Sequence, residues 1–243
     1  MADLSGVRAV LFDAVGTLIR PRPAVADVYR SFARRHGSGL GVETILRRFR
    51  AAFAAQEALD RDDPVGATSE SRERARWQQI VADVFPEVPT VDALFEQLWD
   101  HFAAPSAWSI DPEVPQVLQA IRNAGLQVGI ASNFDSRLRN ICEANPDLAG
   151  CELFISSELG FRKPTAGFFR VAARRVDLPG DRILLVGDDP ANDYEGARAA
   201  GWHAVLLDRD DRGAAGPPFD AYQGRPDRIA ALRDVLDLLH LPN

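Results

Sequence analysis

A chain of 243 residues, 46% of them hydrophobic, can bury a full core as one large domain or as one domain with a smaller one inserted, which excludes disorder as its default state. Its formal net charge is −7, and its arginines scatter among the acids, so no surface is prepared for phosphate backbones and a nucleic-acid partner is not expected. No apolar run approaches the roughly 20 residues of a membrane span, and the start MADLSGVRAVLFD lacks a basic n-region and a long apolar h-region, so a cytoplasmic protein away from membranes is expected.

Residues 7–12 (VRAVLF) form a continuous apolar, β-branched run of the kind buried on both faces of a parallel sheet. The run ends at Asp13. Gly16 and Thr17 then turn the chain, and Pro21 and Pro23 delay any helix until about Ala24. From there the apolar period is helical through Val28, Tyr29 and Phe32, then Ile45, Phe49 and Phe53, then Trp77, Ile80 and Val84, then Leu94, Leu98 and Phe102. Four amphipathic helices are predicted, with breaks at 36–41, 60–69 and 85–89 and with the aromatics as bundle core.

After Pro105 strands and helices alternate. Helix 113–123 precedes strand 126–131, helix 136–145 precedes strand 153–155, helix 165–175 precedes strand 183–186, and helix 192–200 precedes strand 203–207. The segment 208–226 reads as a long loop, and a last helix is predicted over 227–239. This pattern predicts an α/β fold, a Rossmann-like parallel sheet with helices on both faces. Cys142 and Cys151 show no CxxC spacing, and His36, His101, His203 and His240 form no ligand pattern, so both sets read as structural or surface residues.

Ligands of open parallel sheets bind beyond the carboxyl ends of the strands. Polar residues gather at those ends: Asp13 and Thr17, Ser132 and Asn133, Lys163 before helix 165–175, and Asp188, Asp189 and Asp193 after strand 183–186. Singly, such an Asp or Ser reads as a turn or helix-cap residue. Lys163 stands apart, because it is the only lysine among 28 basic residues. Arg20 and Arg22 follow the first loop and read as solvated surface arginines.

In motif order and over nearly its full length, the chain resembles the haloacid dehalogenase superfamily. The matching segments are D13-A-V-G-T17, S132-N133 in GIASNFD, K163-P164 in FRKPTAGFF, and G187-D188-D-P-A-N-D193 followed by a G-A-R-A-A-G helix. The resemblance implies a core of residues 1–19 and 106–243 and a small helical cap of residues 20–105. It implies a hydrolase of a small-molecule substrate, monomeric or homodimeric, with Asp13 as nucleophile forming an aspartyl-phosphate. Thr17, Ser132 and Lys163 join it as catalytic residues, and Ser132, Asn133 and Lys163 bind substrate. Mg²⁺ is the implied cofactor, held by Asp13, the Val15 backbone carbonyl and Asp188, with Asp189 and Asp193 as supporting or alternative ligands.

One position departs from the pattern. The phosphatases of this superfamily carry a second aspartate as acid and base where this chain has Val15. The 2-haloacid dehalogenases lack it too, since a departing halide needs no proton, and D-A-V-G-T is nearest their version. Those enzymes work without metal and have neutral residues where this chain has Asp188 and Asp189; extra carboxylates there repel a haloacid's own carboxylate. The ranking is therefore a Mg²⁺-dependent phosphatase of low or narrow activity first, a hydrolytic dehalogenase second, and a non-catalytic phosphate- or partner-binding protein third.

Overall fold

The computed structural model describes residues 4–209 and 227–242. Strand β1 (Ala9–Phe12) is buried along its whole length, as its uninterrupted apolar run requires. It lies between β4 (Gln127–Ser132) and β6 (Ile183–Gly187), parallel to both. Strands β5 (Glu152–Ile155), β7 (His203–Leu207) and β8 (Arg228–Ile229) extend the sheet in the order β5-β4-β1-β6-β7-β8, with every pairing parallel. Alternate residues feed two cores. Val10, Phe12, Ile130, Leu184, Val186 and Val205 belong to one, and Ala9, Leu11, Ala131, Ile183, Leu185 and Ala204 to the other.

The first core is covered by α5 (Val114–Asn123), α6 (Arg137–Glu143) and α10 (Asp234–Leu238). The second is covered by α8 (Ala166–Val176) and α9 (Gly196–Ala199). A short helix, α7 (Ser156–Leu159), follows β5 directly. The chain leaves β1, builds β4 and β5 on one side, and then crosses to β6 on the other. The crevice at that reversal lies beyond the ends of β1, β4 and β6, where an open α/β sheet binds its ligand.

Between β1 and β4 the four helices predicted from periodicity form: α1 (Val25–Arg35), α2 (Val42–Asp62), α3 (Glu70–Val84) and α4 (Val91–Ala103). They enclose a core of their own around Tyr29, Ile45, Ile80, Phe85, Leu94 and Leu98. The chain enters and leaves this bundle through an antiparallel ribbon of β2 (Ile19–Pro21) and β3 (Trp108–Ile110), which periodicity did not reveal.

The last predicted helix is corrected. Instead of running from Asp227 to Leu239, the chain adds β8 to the sheet edge and becomes helical only over Asp234–Leu238. Pairing of Leu206 and Leu207 with Arg228 and Ile229 takes those residues out of the helix, and the Asp234 carboxylate accepts from the Ala230 and Ala231 N–H groups ahead of it. The helix predicted over 192–200 opens as a π-helical turn, Pro190–Glu195, before α9. Of the predicted loop 208–226, residues 210–226 lie outside the described residues.

Candidate active site

β1 delivers Asp13 to the crevice, where its N–H donates to the Val186 carbonyl across the sheet at 2.8 Å. The turn that follows needs Gly16 at a φ of 95°, and a Cβ there would run into the Asp188 carboxylate. The Asp13 loop and the Asp188 loop are thus packed backbone against carboxylate. Thr17, fully buried, donates from Oγ1 to Asp188 Oδ1 at 3.3 Å.

Ser132 at the end of β4 donates to Asp13 Oδ1 at 3.1 Å, and Lys163 Nζ donates to the same oxygen at 2.9 Å. The ammonium also donates to the Ala131 carbonyl at 2.6 Å and to Asp193 Oδ1 at 2.5 Å. Burial opposes the charge of Lys163, yet the carboxylates of Asp13 and Asp193 outweigh it and hold its pKa above the ordinary lysine value. Asp193 is pushed upward by burial and by Asp13, Asp189 and Asp188, with the Lys163 ammonium pulling the other way. Its second oxygen accepts from the Asp189 N–H at 3.0 Å, and Gly187 leaves the space its carboxylate fills.

Two of the predicted residues bind neighbouring protein groups at the edge of the site. The Asn133 side chain clamps the lysine loop, accepting from the Lys163 N–H at 2.8 Å and donating to the Lys163 carbonyl at 2.9 Å. Its amide thus holds the lysine loop at both backbone polar groups of Lys163. Asp189 caps the π-helical turn, accepting from the Ala191 and Asn192 N–H groups at 2.8 and 2.9 Å and from the Asn192 side chain at 3.0 Å. Asp13, Asp188 and Asp193, by contrast, each offer a carboxylate oxygen within 4.8 Å of the others. Val15 sits half-buried two residues beyond Asp13. The four histidines are dispersed outside this acidic group, and both cysteines are free, with burial pushing the Cys142 thiol up to about 12.

Residues that no spacing singled out bind the site's loops to their surroundings. Arg209, just after β7, donates from Nη1 to the Gly16 and Thr17 carbonyls at 3.0 and 3.3 Å, and its Nη2 lies 2.9 Å from Asp111 Oδ2. Arg162, next to Lys163, reaches Glu73 of α3 at 2.5 Å and Asp60 of α2 at 3.3 Å. Glu57 of α2 accepts from Asn192 Nδ2 at 3.3 Å and from Arg76 Nη2 at 2.5 Å.

A family model described as a haloacid dehalogenase-like hydrolase matches residues 7–201. The haloacid dehalogenase-like hydrolase domain-containing protein 3 of Mus musculus is 30% identical over 219 residues, covering 85% of this chain and 84% of its own length. The ribulose-1,5-bisphosphate 5-phosphatase of Halopiger xanaduensis is 25% identical over 243 residues, covering 95% and 98%. Among solved structures, a defluorinating L-2-haloacid dehalogenase shares the fold with a TM-score of 0.75 at 22% identity, over 96% of this chain and 95% of that one. With a matching family model over most of its length and the Rossmann-like sheet in place, the chain belongs to the haloacid dehalogenase-like hydrolases.

Proposed function

We propose that this chain is a magnesium-dependent phosphatase of a small phosphorylated metabolite, working through an aspartyl-phosphate on Asp13. The observation that carries this reading is the convergence of the Asp13, Asp188 and Asp193 carboxylates within 4.8 Å. Three hard oxygen donors suit a small divalent cation, and the same negative charge disfavours a carboxylate-bearing haloacid. Asp13, Asp188 and the Val15 carbonyl are the proposed ligands, with Asp193 beside them. Bound there, Mg²⁺ would supply charge to draw the phosphoryl group to the nucleophile and to offset its oxygens.

The chain's own residues account for the rest. Ser132 and Lys163 both donate to Asp13 Oδ1, so Oδ2 keeps its lone pairs for attack on phosphorus. The Lys163 ammonium, fixed by three acceptors, lies where charge on the phosphoryl oxygens is to be offset without reorganisation. Asn133 acts through Lys163, holding its backbone. Helices α1–α4, within residues 20–105, form the cap over a core of residues 1–19 and 106–243, and the Asn192–Glu57 contact joins the two beside Asp193.

Phosphate release from p-nitrophenyl phosphate should require added Mg²⁺ and fall at least ~10³-fold in Asp13→Asn, which keeps the shape and removes the nucleophile. Mg²⁺-independent halide release from 2-chloropropionate, with no phosphate release, would establish the dehalogenase alternative instead.

A further inference from the structure

The turn that carries the chain from Asp13 into β2 is held from two sides. Its own hydrogen bonds end on the Ala14 and Ile19 carbonyls: the Leu18 and Ile19 N–H groups donate to Ala14 at 2.8 and 2.9 Å, and the Gly16 N–H donates to Ile19 at 2.9 Å. On one side Asp188 packs against Gly16 and accepts from Thr17 Oγ1. On the other, the Gly16 and Thr17 carbonyls, which the turn itself does not use, accept from Arg209 Nη1 at 3.0 and 3.3 Å. The second terminal nitrogen of Arg209 lies 2.9 Å from Asp111 Oδ2, in an ion pair whose side chains are 11% and 14% exposed. Asp111 is the first residue after β3. Its N–H donates to the Leu18 carbonyl at 2.9 Å, and its Oδ1 accepts from the Glu113 N–H at 3.0 Å. The backbone ahead of Arg209 is anchored in turn, because the Asp208 N–H donates to the Ile229 carbonyl of β8 at 2.8 Å. One guanidinium beyond the end of β7 therefore touches both places where the chain passes between the sheet and the helical bundle, just before β2 and just after β3.

We infer that Arg209 is a positioning residue, which ties both crossings to the edge of the sheet and so fixes the loop between Asp13 and β2, with the Thr17 hydroxyl aimed at Asp188. Its part in turnover rests on the reading of Asp13 as nucleophile. A guanidinium suits the task because its separate N–H groups, set in one plane, meet two carbonyls and a carboxylate together, whereas an ammonium is a single point of charge. The loop needs such a brace, since a glycine at a φ of 95° has many other conformations open to it. A shift of about 1 Å in groups aligned for attack costs up to about 10²-fold in rate.

Amide hydrogen exchange of the full chain, read beside steady-state kinetics on p-nitrophenyl phosphate, tests this in Arg209→Met, Arg209→Lys and Asp111→Asn. Arg139→Gln, which breaks a surface pair with Glu158, is the comparator and should match the unmodified chain in both readouts. In Arg209→Met, exchange over residues 14–19 and 108–111 should rise about tenfold or more, with β1 and β6 unchanged. Its kcat should fall about 10²-fold while KM stays within about threefold. Arg209→Lys, which keeps the charge without the fork, should retain most of both losses. Asp111→Asn, whose amide oxygen still accepts, should lose less than Arg209→Met. Unchanged exchange over residues 14–19, faster exchange spread evenly through the sheet, or full kcat in Arg209→Met would each overturn the inference. An unmodified chain that releases no phosphate would overturn the phosphatase reading instead, and the exchange pattern would still decide whether Arg209 holds the loop.

Discussion

At the scale of the residue, Lys163 sets the balance of the site. It is 3% exposed and lies between two carboxylates and a carbonyl, so a lysine that neither carboxylate needed would be expelled by desolvation. Lys163→Met removes the charge and leaves Asp13 and Asp193 facing each other inside the protein. Breaking a buried pair in this way costs about 3–5 kcal/mol, and losing a preorganised donor lowers kcat by about 10²–10³-fold. Chemical denaturation and steady-state kinetics of the variant check the two effects separately. Lys163→Arg should not rescue either, because a planar guanidinium does not fit a pocket shaped around a compact ammonium. Wild-type kcat in Lys163→Arg would contradict this account. In a chain that otherwise uses arginine for every basic side chain, that restriction explains why this one position holds lysine.

At the scale of the element, the loop 160–163 and the helical bundle are built into one another. The Thr68 N–H donates to the Gly160 carbonyl at 3.0 Å and the Arg162 N–H to the Gly66 carbonyl at 2.9 Å, so a short antiparallel bridge joins the two segments. Inside it the Arg162–Glu73 pair is buried, and Glu73 also accepts from Thr68 Oγ1 at 2.7 Å. A second junction is made by Arg137, which grips Asp135 with two bonds of 2.7 Å and whose guanidinium lies 3.4 Å from the Trp99 ring centre, joining α4 to the loop after β4. Arg162→Met should therefore destabilise the fold by about 3–5 kcal/mol by stranding Glu73, and the Arg162→Met, Glu73→Leu double variant should recover most of that loss. Urea unfolding of the two singles and the double closes the cycle. Additive losses would show that the pair does not act as a unit.

At the scale of the whole molecule, the sheet was legible because its strands are continuous apolar runs and the intervening helices repeat at their own period, as in residues 7–12 and 183–186. The β2–β3 ribbon and β8 were not, since strands of two or three residues carry no period and form only when a distant segment supplies the partner. The same division runs through the site. Asp13, Ser132, Lys163, Asp188 and Asp193 could be read in sequence because each follows an identifiable strand or precedes a helix, and they converge in the fold. The engagement of Asn133 with Lys163, the capping by Asp189 and the contacts of Arg162, Glu57 and Arg209 arise from tertiary packing, and one arginine among so many gives no local signal. The central claim is that Asp13 carries the phosphoryl group, and mass analysis of peptides from enzyme acid-quenched during p-nitrophenyl phosphate turnover tests it most directly. The account predicts one added phosphoryl group on the peptide holding Asp13, present with Mg²⁺ and absent without it. A phosphoryl group on any other residue, or steady phosphate release with no modified peptide at any quench time, would contradict it.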